Sequence, residues 1–123
     1  MPHTNVVLLQ SDPKVAQSLI SSLSNSFHGV HLAASLDELR QTALKHRPVA
    51  IIVDLETATL EDVELLKQEF EGVRIICNHR VADEEMWTRT ITAGADDFCP
   101  SNDMRGILLA TVRPEAMARG VAA

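Results

Sequence analysis

With 123 residues, 46% of them hydrophobic, the chain has the size of one compact domain with a core of its own, which excludes a multidomain enzyme. Eleven Lys and Arg against 17 Asp and Glu leave a net charge of −6, which argues against attraction to nucleic acid or an anionic membrane and points to protein partners. No apolar run approaches the ~18 residues of a membrane span, and Met1-Pro2-His3-Thr4-Asn5 lacks the positive region of a secretory leader, so a cytoplasmic location is expected.

Val6-Val7-Leu8-Leu9 reads as a strand buried on both faces. Asp12 followed by Pro13 is an N-cap and a first helical residue, and Val15, Leu19, Ile20 and Leu23 recur with helical spacing up to about Ser24. Gly29 precedes a short second strand, Val30 to Ala33, and Ser35-Leu36-Asp37-Glu38 has the form of a capping box. The second helix then has Leu36, Leu39, Ala43 and Leu44 as its core face, with Lys45, His46 and Arg47 at its end and Pro48 forbidding continuation.

Val49 to Val53 is the strongest strand signal and finishes at a single carboxylate, Asp54. Thr59 caps a third helix with Leu60, Val63, Leu66 and Phe70 toward the core and Gly72 as its stop. Val73 to Cys77 forms a fourth strand, Asp83 to Ala93 a fourth helix ending at Gly94, Asp97-Phe98-Cys99 a brief fifth strand, and Asp103 to Val112 a fifth helix stopped before Pro114. Residues 1–113 are read as the domain and residues 114–123 as a tail or the start of a linker.

Five strands alternating with five helices imply an α/β fold, a doubly wound parallel sheet covered on both faces by right-handed crossovers. Chemistry in such sheets gathers at the carboxyl ends of the strands. Those ends supply Gln10, Ser11 and Asp12, then Asp54, then Asn78 and His79, then Ser101.

At these positions the sequence resembles the receiver domain of bacterial response regulators, from about Asn5 to Val112. Leu9-Gln10-Ser11-Asp12-Pro13 stands where that family has V-D-D-E-P, and Ile51-Ile52-Val53-Asp54-Leu55 matches its strand ending in the phosphoacceptor Asp. Ala93-Gly94-Ala95-Asp96-Asp97-Phe98 matches A-G-A-x-D-[YF], and Pro100-Ser101-Asn102 stands where the family has x-K-P. The resemblance implies a five-stranded flavodoxin-like sheet in the order 2-1-3-4-5, Asp54 as phosphoacceptor candidate, and Phe98 as the switch aromatic or a plain core residue.

The departures bear on function. In the family, two acidic residues after the first strand help the phosphoacceptor hold Mg²⁺, and a Lys after the fifth strand pairs with the phosphoryl group. Gln10 and Ser11 occupy both acid positions and Ser101 the Lys position, which loses a charge-assisted contact. Asp12 is explained as a helix cap. The hydroxyl residue after the fourth strand becomes His79, with Asn78 as the alternative register. The expectation is a degenerate receiver, with no cofactor, Mg²⁺ binding only weakly if at all, and phosphorylation at Asp54 lost or weak; the alternative is a working phosphoacceptor in a two-component relay with a histidine kinase.

Other constellations compete. Cys77, His79 and Cys99 suggest a zinc or thiol site without a fourth ligand, and buried thiols in a reducing compartment are the plainer reading. His79 beside Asp54 would form a charged pair replacing the metal or Lys. No Gly-rich phosphate loop, P-loop or catalytic triad order is present, so an enzyme is not expected. Trp87, with Arg89 beside it, is either core or a protein-binding anchor. With Ile107 and the apolar fifth helix, these residues mark a homodimer or partner face made by helix four, strand five and helix five.

Overall fold

A computed structural model describes residues 4–112, and the tail read at residues 114–123 lies outside them. The elements run β1 (Asn5–Leu9), α1 (Pro13–Leu23), β2 (Gly29–Ala33), α2 (Leu36–His46), β3 (Ala50–Asp54), α3 (Leu60–Glu69), β4 (Arg74–His79), α4 (Glu84–Thr92), β5 (Asp97–Pro100) and α5 (Met104–Val112). The strands pair in parallel, as the alternation of apolar runs and amphipathic stretches implied, and in the order β2-β1-β3-β4-β5 that the receiver resemblance implied.

Alternation along each strand sends neighbouring side chains to opposite layers. Val7, Leu9, Ile51, Val53, Ile75 and Cys77 pack under α2, α3 and α4 with Leu39, Val63 and Leu66. Val6, Leu8, Ala50, Ile52 and Ile76 pack under α1 and α5 with Leu19, Leu23 and Ile107. The caps follow the sequence: Asp12 accepts from the Lys14 N–H, and Thr59 with Asp62 forms a reciprocal capping box. At α2, Ser35 accepts from the Glu38 N–H, but the Glu38 carboxylate reaches back one residue further, to the N–H of Ala34.

Several element ends shift by a residue from expectation; one strand end, one helix end and one core residue depart in ways that matter. β4 continues past Cys77 to His79, because pairing with β3 and β5 holds the backbone there whatever the polarity of the side chains. α2 ends with Arg47 in the left-handed region at φ 49°, a conformation that ordinarily falls to Gly. Leu44 is 62% exposed rather than core: Leu36, Leu39 and Ala43 form the buried stripe, and Leu44 stands ~100° further round the helix.

At the sheet edge, His31 on β2 stacks on His46 at the end of α2, with ring centroids 3.8 Å apart and planes 17° apart. The Asn5 amide donates to the His46 carbonyl (3.4 Å) and its oxygen lies 3.1 Å from His31 Nε2, which therefore carries the proton. Gly29 leaves room for this, since a Cβ there would stand 2.3 Å from the Asn5 oxygen.

Burial, then the His46 ring and then the Lys45 ammonium lower the His31 pKa below its ordinary 6.5. The unfolded chain takes up this proton first, so the stabilisation is complete above pH 6.5 and is lost as the pH falls through the folded value. Thermal melts are expected to show a lower midpoint at about pH 5 than at about pH 7.5, with a smaller drop in His31→Gln.

Candidate functional site

The carboxyl ends of β1, β3, β4 and β5 converge on a polar cluster built from uncharged side chains around one carboxylate. Asp54, the last residue of β3, is 3% exposed. Its Oδ2 accepts from the Ser11 N–H (2.9 Å) and from the Ser11 hydroxyl, and lies 3.5 Å from Thr57 Oγ1; its Oδ1 accepts from the Glu56 N–H (2.7 Å). Its carbonyl accepts from Thr57 and Ala58, each at 3.0 Å, which turns the chain into the loop before α3. A carboxylate taken out of water is tolerated when such donors replace the water.

Asn78 stands opposite Asp54 in the β3–β4 register and is 1% exposed. Its amide nitrogen donates to Gln10 Oε1 (3.0 Å) and Ser101 Oγ (2.8 Å), and its oxygen accepts from Gln10 Nε2 (2.8 Å). One side chain thus ties the ends of β1, β4 and the β5 exit together. Among the described residues no buried side-chain polar atom lacks a partner. Above this layer, Arg80 grips Glu56 at 2.8 and 3.0 Å and joins the segments that follow β3 and β4.

The predicted site residues distribute as follows. Gln10, Ser11, Asp54 and Ser101 come together, and of the two registers after β4 it is Asn78 whose side chain enters the pocket. His79 does not pair with Asp54: its Nδ1 accepts from the Val81 N–H at 2.9 Å, and its carbonyl accepts from the Ser101 N–H at 3.1 Å. Asp12 is occupied by its cap, at 2.9 Å from the Lys14 nitrogen. Cys77 and His79 share a face of β4, but Cys99 belongs to the opposite core layer, so these three do not form a thiol or zinc cluster. Burial, with Asp96 and Cys99 nearby, pushes the Cys77 thiol far above its ordinary range.

The donor set does not suit a hard divalent cation, which takes carboxylate and carbonyl oxygens. One carboxylate is present, its oxygens already accept N–H and O–H donors, and the Gln10 oxygen is bound to Asn78. Among the described residues no group of three or more His, Cys, Asp and Glu side chains is placed to hold a metal.

Phe98 is buried in the layer under α4, packed among core residues. Trp87 is 47% exposed and so is not a core residue. Arg89, two residues on, lies about 200° round α4 and so on its other flank, against Leu55 and Leu60. Ile107 is fully buried and offers no interaction surface, because Ile107, Ala110 and Thr111 form the sheet-facing stripe of α5 while Leu109 and Val112 turn outward. Sequence reasoning missed the Glu56–Arg80 pair, whose proximity arises only when the segments after β3 and β4 are brought together, and Thr57, which the local turn after Asp54 folds back on its carboxylate.

Solved structures show what this chain is similar to. A response regulator from Thermotoga maritima superposes with a TM-score of 0.79 at 14% identity, covering 99% of this chain and 100% of that one. A two-component response regulator from Clostridium difficile gives 0.76 at 15% identity, covering 98% and 100%. A response regulator from Burkholderia pseudomallei, solved with a phosphorylated aspartic acid and a calcium ion, gives 0.78 at 20% identity, covering 98% of this chain and 73% of that one. No family model and no curated protein matches the sequence. The fold is that of a response-regulator receiver domain.

Asn78→Ala would strip both Gln10 and Ser101 of a partner inside the protein. Urea unfolding is expected to show a loss of about 1–3 kcal/mol, larger than that of Ser101→Ala, which removes a single hydrogen bond.

Proposed function

We propose that this chain is a receiver-like signalling domain that acts through protein contacts, with phosphorylation at Asp54 lost, weak or metal-independent. The observation that carries the reading is the state of Asp54: buried, with both carboxylate oxygens engaged by Ser11 and Glu56. Phosphoryl transfer is catalysed by positioning and by charges aimed at the transferring group. The side chains bound directly to Asp54 or joined beside it, Ser11, Thr57, Gln10, Asn78 and Ser101, are neutral, and the Arg80 guanidinium is held by Glu56. A working phosphoacceptor, the alternative reading, would attack through an oxygen that already accepts an N–H and would have to meet the incoming phosphoryl charge with neutral side chains.

A non-enzymatic, cytoplasmic role fits a chain without a catalytic constellation in its sequence and without a described helix long and apolar enough to cross a membrane. Exposed Trp87 on α4 and Leu109 and Val112 on α5 support a protein partner or a second copy at the α4–β5–α5 face, and the net charge of −6 speaks against nucleic acid.

Incubation with Mg²⁺ and acetyl phosphate, followed by intact mass measurement beside Asp54→Ala, is expected to show no adduct. A stable phosphate adduct that disappears in Asp54→Ala would establish the working phosphoacceptor instead.

A further inference from the structure

Residues 54–89 hold ten Asp and Glu against four Lys and Arg, while the other residues hold seven of each. The whole excess of six negative charges therefore lies between the end of β3 and α4. Inside this stretch a cleft of about 240 Å³ opens between the first turn of α3 and one flank of α4, lined by Leu55, Ala58, Thr59, Leu60, Met86 and Arg89.

Carboxylates stand on both of its banks. Glu64 lies one turn beyond Leu60 on the same face of α3, and Glu85 lies one turn before Arg89 on α4; both are exposed. Arg89, which lines the cleft, does not neutralise its bank: its guanidinium is 3.8 Å from Glu85 with both side chains largely in solvent, a pairing of little strength. An apolar trough between acidic banks matches a helix whose large apolar side chains are flanked by Lys or Arg. Nucleic acid would be repelled here, and a second copy of this chain would bring the same negative charge.

We propose that the cleft between α3 and α4 docks a basic amphipathic segment of a partner protein. The proposal supplies a partner chemistry to the protein-binding reading above and rests on it, while using a different flank of α4 from the one that carries Trp87.

The test uses a fluorescent peptide of Leu and Lys at helical spacing, a second with Glu in place of Lys, and a third with Ala in place of Leu, each titrated with the full chain and followed by anisotropy. The Leu/Lys peptide is expected to bind and the other two to bind far more weakly. Glu64→Lys with Glu85→Lys, both at the surface and away from the core, is expected to weaken binding by about tenfold. Asp37→Lys with Gln17→Lys and Gln41→Lys, exposed positions outside residues 54–89 that alter net charge equally, is expected to leave it unchanged, and circular dichroism checks that both multiple variants are folded.

Equal weakening by the two multiple variants would mean diffuse attraction and overturn the proposal. So would equal binding of the Glu peptide, no binding of the Leu/Lys peptide, or affinity untouched by the change at Glu64 and Glu85. The Asp54 mass measurement is separate, so failure of the pocket reading and failure of the cleft are told apart.

Discussion

A carboxylate buried at the end of the central strand has to be met by hydrogen-bond donors, and Asp54 organises the carboxyl edge of the sheet through that need. An unmatched buried ion costs several kcal/mol, roughly the order of a small domain's whole stability. The β1 exit therefore turns so that the Ser11 N–H and hydroxyl face Asp54, and the chain after β3 turns so that the Glu56 N–H points back at it. The same turn starts α3 four residues later through the Thr59 cap and lines Leu55 and Ala58 against Met86. The geometry of both the pocket and the neighbouring cleft thus follows from one strand-end residue.

The rest of the pocket is held by neutral groups. The reciprocal amide pair of Gln10 and Asn78, extended to Ser101, closes the β1, β4 and β5 ends with short-range contacts that each contribute on the order of 1 kcal/mol. A pocket of clustered carboxylates repels itself and is quieted by an incoming cation, which is how a bound ion or a new charge comes to bias a two-state element. A saturated neutral network has no such repulsion to relieve. It favours one arrangement of the strand ends, and a ligand that shifted it would have to replace every hydrogen bond it displaced.

The alternation of strands and helices was legible because each apolar run is bounded by a physical signal: Asp12 with Pro13, Ser35, Thr59, and the positive-φ glycines Gly72 and Gly94. The pocket was legible only in part, and the failure traces to β4. Side-chain polarity suggests that the strand stops at Cys77, whereas the backbone ladder carries it to His79. Because strand side chains alternate, the choice between Asn78 and His79 is a choice between faces, and no local property of either residue decides it. Leu44, Trp87 and Ile107 show the helical version: on a short helix with a broad apolar face, the sequence locates the stripe to within a residue, and packing against the sheet selects its centre.

The distribution of charge separates the two regions by range. The strand-end network offers contacts that act over a hydrogen-bond length and are already spent inside the protein. The acidic residues of α3 and α4 act over the ~8 Å that physiological salt leaves unscreened, far enough to orient an approaching partner before contact. Because every negative charge in excess lies in residues 54–89, the field is directional: it leads a basic segment to the flank where apolar side chains line a cleft and away from a domain remainder that is neutral on balance. In the proposed docking, recognition that begins with this field would end beside the loop that Asp54 holds in place, so the buried carboxylate would contribute to binding through the backbone it positions, without contacting the partner.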